Sequence, residues 1–240
     1  MTENKVSQDS RIVLVLLPGL DGTGRLLEDF VEKCPPQLTP QVIRYPGDRP
    51  QDYKELAALI SSQLPGEGRF VVLGESFSGP LAILVAAQRP SGLLGVVLVA
   101  SFVQAPRSSL FRFLPWSIIF SARPPEFLLR YLLIGKDADL KLIQAIRKIH
   151  GIVKPEVLSF RLRQVLCVDV SEQLRTCNVP VLYLQGVRDR LIPRNALENI
   201  RQTKPDVAVA AIDAPHLVVQ RAPEESWKHI SSFLERIVAF

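Results

Sequence analysis

Residues 73–82 read LGESFSGPLA, and they place Ser76 between two different kinds of predicted structure. The apolar run 69–73 before the serine has the composition of a buried strand, and residues 80–88 after it read as a helix. The residue two positions before the serine is a glycine, and the residue two positions after it is another serine. A serine in a strand–turn–helix with small neighbours is typical of a nucleophile elbow, in which a strained turn exposes the hydroxyl. We therefore expect Ser76 to be a nucleophile; the alternative is a small-residue turn without chemistry.

Outside residues 106–175, short apolar runs alternate with helical patterns. The predicted strands are apolar throughout, which indicates burial on both faces and hence a parallel sheet covered by helices. We predict an α/β fold: a doubly wound, mostly parallel sheet of about six strands flanked by helices. The predicted strands are 12–17, 41–45, 69–73, 94–100, 179–185 and 207–212, and the predicted helices are 25–33, 52–64 (capped by Asp52), 80–88, 193–203 and 223–238.

Residues 106–175 interrupt this alternation with four helical stretches and no clear strand. Ser108 or Ser109 could cap the first, prolines at 124 and 125 open the second, Asp137 caps the third, and Pro155 opens the fourth. This pattern predicts a helical lid inserted over the sheet. The expected organisation is therefore a core formed by 1–105 and 176–240, with the lid at 106–175.

The predicted lid carries the basic excess of the chain. Residues 106–175 contain twelve Lys and Arg against six Asp and Glu, while the whole chain has a net charge of +5. Such a surface could meet an acidic acyl-carrier protein, coenzyme A phosphates or anionic lipid headgroups, or could simply be solvated. We do not expect nucleic-acid binding, because the aromatic residues lie at apolar helix positions instead of alternating with the basic ones. The basic residues include Arg112, Arg123, Arg130, Lys141, Arg147, Lys148, Arg161 and Arg163, and the aromatic residues are Phe111, Phe113, Trp116, Phe120, Phe127, Tyr131 and Phe160.

Composition excludes several classes of protein. The longest apolar runs, 12–17 and 93–100, are too short to span a bilayer, and the polar first eleven residues do not resemble an export signal. The three cysteines have unrelated spacings, which predicts neither a disulfide framework nor a zinc site. We expect a cytoplasmic protein without a metal ion or an organic cofactor.

A serine nucleophile needs a histidine base, and the chain has three histidines. His216 lies in a loop after the last predicted strand, from which it can fold back over the sheet edge, whereas His150 and His229 lie on predicted helices. An acid must then orient the base. Asp189 follows the preceding strand, and the other usual place for this acid, after strand 94–100, offers no carboxylate, which favours Asp189. Asp213 is close to His216 in sequence but sits at the strand end, and it is the weaker candidate.

An oxyanion hole would complete the site, with backbone N–H groups as donors. The glycine-rich loop 16–24, LLPGLDGTG, follows the first strand, and Leu20 is its best-placed donor. The second donor should be Phe77, the residue after the serine. The loop matches neither the spacing of the dinucleotide fingerprint nor that of the Walker motif.

The order Ser76, Asp189, His216, with each residue on a loop after a strand, resembles the α/β-hydrolase fold family over essentially the whole chain. The loop PGLDGTG and the size of the lid resemble those of small bacterial carboxylesterases, such as pimeloyl-carrier-protein methyl ester esterases, and of plant esterase/acyltransferases. The chain departs from the family pattern at Pro18, where many members have histidine, and at Ser78, where glycine is usual. With eleven residues before Ile12, we also expect the first two strands of the full family sheet to be missing.

The resemblance implies a serine hydrolase that cleaves a carboxylic ester or thioester through an acyl-enzyme on Ser76. Trp116, Phe120 and Tyr131 of the lid are candidates to line an acyl pocket, although packing onto the core could equally explain them. Two alternatives use the same residues: an acyltransferase, lyase or synthase, or a non-catalytic ligand-binding relative.

Overall fold

A single parallel sheet organises the chain. The computed structural model describes residues 11–107, 109–122, 124–149 and 151–238, with Ser109 described by its backbone. The sheet has the order β2-β1-β3-β4-β5-β6, and every pair of neighbouring strands is parallel. This confirms the predicted architecture. The strands are β1 (Ile12–Leu17), β2 (Leu38–Val42), β3 (Phe70–Glu75), β4 (Leu93–Val99), β5 (Val181–Gly186) and β6 (Ala208–Ile212).

Helices cover both faces of the sheet, so the central strands β1, β3 and β4 are apolar on both sides. On one face the core contains Leu56 and Leu81, and on the other it contains Phe30 and Trp227, whose rings stack at 4.1 Å. The described helices are α1 (Glu28–Glu32), α2 (Tyr53–Ser61), α3 (Gly79–Ala87), α4 (Trp116–Ser121), α5 (Glu126–Leu129), α6 (Leu140–Ile149), α7 (Pro155–Val165), α8 (Ser171–Arg175), α9 (Asn195–Thr203), α10 (Val218–Arg221) and α11 (Pro223–Val238). None of them is long and apolar enough to cross a membrane.

The second strand lies three residues earlier than predicted. β2 spans Leu38–Val42, and its first residue pairs with Ile12 of β1. Pro40 concealed it in the sequence, because proline lacks the N–H that a central strand needs. β2 is an edge strand, where proline is tolerated. The predicted Asp52 cap is confirmed, since its carboxylate accepts a hydrogen bond from the Glu55 backbone N–H at 2.8 Å.

Between β4 and β5 the chain forms the helical segment, residues 106–175. It contains α4 to α8 and a π-helical turn, Arg130–Ile134, that continues α5. Asp139 rather than Asp137 caps α6, because its carboxylate accepts from the Leu142 N–H at 2.9 Å. The helix α8 was not predicted. Ser108, Arg123 and His150 lie outside the described residues, as does the side chain of Ser109.

Candidate active site

Ser76 stands at the carboxyl end of β3 in a strained backbone conformation. Its φ is +50°, a left-handed value that residues with a side chain rarely adopt. The turn is possible because its neighbours are small: a Cβ on Gly74 would lie 2.3 Å from the Ser78 carbonyl oxygen. A Cβ on Gly79 would lie 1.8 Å from Ser101 Oγ, so α3 can pass close to the sheet only with glycine there. The local structure is that of a nucleophile elbow.

The structure brings together the three residues that the sequence singled out. His216 Nε2 lies 2.9 Å from Ser76 Oγ, and His216 Nδ1 lies 2.9 Å from Asp189 Oδ2. In the resting arrangement Ser76 donates to Nε2, and the Nδ1–H group donates to the carboxylate. The side chains of His216 and Asp189 are both buried, with exposed fractions of 4% and 8%. The histidine is therefore held between a hydroxyl and a carboxylate, largely away from water.

The Asp189 carboxylate is fixed by its own loop. Its Oδ1 accepts hydrogen bonds from the backbone N–H groups of Leu191 at 2.8 Å and Ile192 at 3.0 Å, which leaves Oδ2 for the histidine. Asp213, the rival candidate, is 80% exposed and pairs instead with Arg188 at 2.7 Å. The geometry therefore selects Asp189 as the partner of His216.

The three carbonyl groups nearest in sequence to the Leu20 N–H, those of Pro18, Gly19 and Leu20, each accept a hydrogen bond. The Pro18 carbonyl accepts from the Ser78 hydroxyl, and the Gly19 carbonyl accepts from the Gly22 N–H at 3.0 Å. The Leu20 carbonyl accepts from Arg161 at 3.0 Å. Among the described residues, none accepts a hydrogen bond from the Leu20 N–H. The loop thus presents one fixed, unused donor.

Phe77, the residue after Ser76, is held in place by Tyr53. Its ring stacks on Tyr53 with centroids 4.9 Å apart, and its carbonyl accepts from the Tyr53 hydroxyl at 3.1 Å. The hydroxyl of Ser78 donates to the Pro18 carbonyl, so Tyr45 Oη, 2.7 Å away, donates to Ser78 Oγ. The serine that replaces the usual glycine therefore ties the elbow to the glycine-rich loop.

Glu75, directly before Ser76, is a buried carboxyl group. Burial is the main cause that raises its pKa to about 7, while a hydrogen bond from Gln220 Nε2 at 2.8 Å, the nearby His216 and a backbone hydrogen bond from Gly19 act to lower it. The other amide atom of this glutamine, Oε1, is buried and has no partner among the described residues. A flip of the amide would place that oxygen to accept a hydrogen bond from the O–H group of a neutral Glu75.

Arg161 of α7 is fully buried and contacts the glycine-rich loop 16–24. Its Nη1 donates to the carbonyls of Leu20 and Asp21, and its Nη2 donates to the Pro46 carbonyl at 2.8 Å. Its guanidinium also lies 5.5 Å from the centre of the Tyr45 ring. This arginine was predicted as part of a basic surface, and that prediction is wrong, because the side chain is 0% exposed.

The three aromatic residues predicted to bind substrate lie in different surroundings. Tyr131 borders a cavity of about 430 Å³ that Asp189 also lines, and the guanidinium of Arg190 stacks 4.3 Å from its ring centre. Trp116 and Phe120 pack near each other on α4, with ring centres 6.3 Å apart. Among the described contacts, none joins Trp116 or Phe120 to the triad. Tyr131 thus shares a cavity with one triad residue, Asp189, while Ser76 and His216 do not line that cavity.

The helical segment also touches the loop that carries the histidine. The Leu217 N–H donates to the Leu133 carbonyl at 3.0 Å, and Leu217 packs with Leu129, Ile134 and Ile143 in a small apolar cluster. Asp137 accepts a hydrogen bond at 2.7 Å from Arg221, the last residue of α10, which follows the histidine loop. Because Arg161 holds the glycine-rich loop at the same time, one segment braces both sides of the site.

Within the described part of the chain, no group of three or more His, Cys, Asp or Glu side chains could hold a metal ion. The cysteines Cys34, Cys167 and Cys177 are all free thiols. The site is therefore built from a hydroxyl, an imidazole, a carboxylate and backbone amides.

Comparison with known proteins identifies the fold. No protein-family model matches the chain. A carboxylesterase from Nitrososphaera gargenis superposes with a TM-score of 0.78 at 15% identity, covering 97% of this chain and 93% of that one. An alpha/beta hydrolase enzyme from a Medee basin deep-sea metagenome superposes with a TM-score of 0.76 at 14% identity, covering 97% and 92%. The chain has the α/β-hydrolase fold.

A curated relative is similar in sequence as well. The uncharacterized hydrolase YugF of Bacillus subtilis is 25% identical over 205 residues, which cover 76% of this chain and 72% of that protein. In the α/β-hydrolase fold, loops at the carboxyl ends of parallel strands converge on one edge of the sheet. This convergence places Ser76, Asp189 and His216 together, although the serine and the histidine are 140 residues apart.

Sequence reasoning missed several residues around this site. Arg161 gave the clearest signal, because it falls on the apolar stripe of α7, where a charge must be paired or hydrogen-bonded if buried. No signal in the sequence marked Glu75 or Gln220, since the contact between them joins two elements 145 residues apart. Ser101 Oγ donates to the Ser76 carbonyl at 2.7 Å, a further support that only the packing of α3 on the sheet reveals.

Proposed function

We propose that the chain is a serine hydrolase that cleaves a carboxylic ester or thioester through an acyl-enzyme on Ser76. The observation that carries the proposal is the Ser76–His216–Asp189 relay, with both contacts at 2.9 Å, on a serine whose φ is +50°. The similarity to YugF, an uncharacterized hydrolase, supports hydrolase activity in general. The carboxylesterase among the structural neighbours supports the ester class.

In the first half of the reaction, His216 Nε2 takes the proton of Ser76 Oγ as this oxygen attacks the substrate carbonyl carbon. Asp189 stabilises the imidazolium that forms, because its side chain is buried, faces His216 Nδ1 and is held in place by two backbone amides. The carbonyl oxygen becomes an oxyanion, and the N–H groups of Leu20 and Phe77 are its donors. The imidazolium then protonates the leaving alcohol or thiol, and the acyl-enzyme remains.

In the second half, His216 takes a proton from water, which attacks the acyl carbon, and the oxyanion forms again between Leu20 and Phe77. Collapse of this intermediate breaks the bond to Ser76 Oγ, and the imidazolium returns a proton to that oxygen. The products are a carboxylic acid and the regenerated serine. Each half uses the same base and the same donors, so no further group is needed.

The helical segment is the proposed lid of this site, and the rest of the chain forms its core, as 1–105 and 176–240. Its position supports this role, because it contacts the glycine-rich loop through Arg161 and the histidine loop through Leu133. Tyr131 is the lid aromatic that we assign to the substrate pocket, since it borders the cavity beside Asp189.

A panel of p-nitrophenyl esters with acyl chains from acetyl to palmitoyl tests the proposal, and acyl-thiol analogues test the thioester class. Wild-type protein should hydrolyse some of them, with one preferred chain length, and Ser76→Ala should reduce kcat to the background rate. Addition of a small alcohol reveals transfer, because an ester product then accumulates in place of the acid. Equal rates in wild type and Ser76→Ala would contradict a serine hydrolase.

A further inference from the structure

The outer face of the helical segment exposes large apolar side chains. Phe113 is 72% exposed and Ile118 is 71% exposed, and Phe111, Leu114 and Ile119 are each at least 40% exposed. These five residues, here named the apolar face, lie within nine consecutive positions. Scattered apolar residues are normal on a protein surface, but a concentration of this kind marks an interaction site.

Rotation of α4 about its own axis would not bury the apolar face. Its six residues, WSIIFS, contain no charged side chain. Trp116, Ser117 and Phe120 are partly buried on the side that packs against α7, while Ile118 and Ile119 point away from it. A helix that is apolar on all sides is normally buried. One side of α4 is covered by the protein, so the other side requires a different apolar environment.

The charge of the region is entirely basic. Residues 106–125 contain three arginines, Arg107, Arg112 and Arg123, and no aspartate or glutamate. The guanidinium of Arg112 lies 4.7 Å from the centre of the Phe113 ring. An arginine beside an exposed aromatic ring can keep its charge at the level of lipid headgroups while the ring enters the acyl boundary. Anionic lipid then neutralises the charge of Arg112.

We propose that the apolar face binds the interface of a lipid membrane that contains anionic headgroups. An acidic protein partner is less well matched, because its carboxylates would meet mainly exposed Phe, Leu and Ile side chains. A second copy of this chain is also less well matched, because pairing like faces would bring Arg112 of one copy toward Arg112 of the other. The interaction is peripheral, with side chains inserted to the depth of the headgroup boundary.

Membrane binding would connect to the site through α7. The helix α4 packs against α7, and α7 carries Arg161, which holds the Leu20 and Asp21 carbonyls. Binding at the apolar face therefore places the proposed lid, and not the sheet, against the lipid. The binding itself does not need the proposed activity, so Ser76→Ala should bind vesicles as wild type does.

The full chain provides its own fluorescent reporter for this proposal. It has two tryptophans; Trp227 is buried and stacked on Phe30, so a change in emission on binding reports Trp116 on α4. The experiment mixes the protein with phosphatidylcholine vesicles, with or without phosphatidylglycerol, and measures co-sedimentation and the emission maximum. We expect binding and a blue shift with the anionic vesicles, and much weaker binding to phosphatidylcholine alone.

Matched variants locate the surface. Phe113→Ser and Ile118→Ser should each weaken vesicle binding about ten-fold or more, since each removes a large apolar side chain from the lipid contact. Leu140→Ser is the control, because Leu140 is 64% exposed on α6 and lies outside the apolar face. All three side chains are exposed, so the variants should keep the wild-type circular dichroism spectrum and melting temperature.

The proposal would be overturned by absence of binding to anionic vesicles, or by Phe113→Ser and Ile118→Ser binding as well as Leu140→Ser does. A dimer in sedimentation velocity that Phe113→Ser dissociates, without vesicle binding, would assign the face to a second copy. Binding of an acidic carrier protein through the same residues, without vesicle binding, would assign it to a protein partner. Either result contradicts the membrane assignment.

Discussion

The guanidinium of Arg161 donates a hydrogen bond to the Leu20 carbonyl oxygen at 3.0 Å, across 141 positions of the chain. The arginine belongs to the helical segment, and the leucine belongs to the loop that offers the proposed oxyanion donor. Arg161 also donates to the carbonyls of Asp21 and Pro46, at 2.8 Å each. A single buried cation thus fixes three carbonyls, one of which belongs to the residue that carries the proposed oxyanion donor.

Replacing Arg161 with lysine should lower kcat at least about ten-fold with little change in KM, a smaller loss than the roughly 100-fold cost of removing an oxyanion donor outright. One ammonium group cannot satisfy three carbonyls in the planar fork that the guanidinium provides. Arg163→Lys, on the exposed side of the same helix, is the matched control and should behave as wild type. Steady-state kinetics on the best ester, beside thermal melting, make the comparison. An equal fall in both variants, or a change in KM alone, would contradict the positioning role.

Asp189→Asn should reduce kcat by about 10⁴-fold, because the amide no longer stabilises the imidazolium and favours the wrong tautomer of His216. Asp213→Asn is the control: this aspartate lies close to His216 in sequence, but it is exposed and paired with Arg188. Its kcat should remain within about two-fold of wild type, as expected for a surface ion pair. A larger loss in Asp213→Asn than in Asp189→Asn would reverse the assignment.

The buried Glu75 should make stability depend on pH. Its pKa is raised to about 7, chiefly by burial, so between its ordinary value of 4.5 and pH 7 the folded protein holds a proton that the unfolded chain releases. Stability from this group is therefore present at low pH and is lost as pH rises toward 7. Glu75→Gln removes this pH-dependent loss of stability. The melting temperature of Glu75→Gln minus that of wild type should increase from pH 5 to pH 8, and a difference that stays constant would contradict the burial of a neutral carboxyl.

Ser78→Ala should destabilise the protein by about 1–3 kcal/mol, because the Pro18 carbonyl and the Tyr45 hydroxyl would both lose a buried partner. Tyr45→Phe removes the hydrogen bond from Tyr45 to Ser78 but keeps the one from Ser78 to the Pro18 carbonyl. Its loss of hydrogen-bond stabilisation should therefore be smaller than that of Ser78→Ala. Denaturant unfolding of both variants gives the comparison. An unchanged midpoint for Ser78→Ala would show that this hydroxyl does not tie the elbow to the glycine-rich loop.

The sheet was predictable because its strands are apolar on both faces and therefore appear as continuous runs. The contact of Ser76 with His216 and of His216 with Asp189 followed from order alone, since loops after parallel strands meet at one sheet edge. The strand β2 was displaced in the prediction because Pro40 interrupts its apolar pattern. Only the pairing of Leu38 with Ile12 reveals its register.

The supporting contacts could not be predicted, because they join elements distant in sequence. Arg161 lies on the apolar stripe of α7, yet no local rule shows that three carbonyls surround its guanidinium. The contact of Gln220 with Glu75 depends on how α10 packs beside β3, and α10 itself is only four residues long. Asp137 was predicted to cap α6 because it precedes the helix, but the structure pairs it with Arg221 and Arg188.

The central claim is that Ser76 is the nucleophile of an acyl-transfer site, and active-site labelling tests it most directly. The full chain is treated with a fluorophosphonate ester, which phosphonylates an activated serine with loss of fluoride, and is then analysed by intact mass and peptide mapping. We predict one adduct per chain, located on the peptide that contains Ser76, no adduct in Ser76→Ala, and slow labelling in Asp189→Asn. Absence of an adduct in wild type, or an equal adduct in Ser76→Ala, would contradict the account.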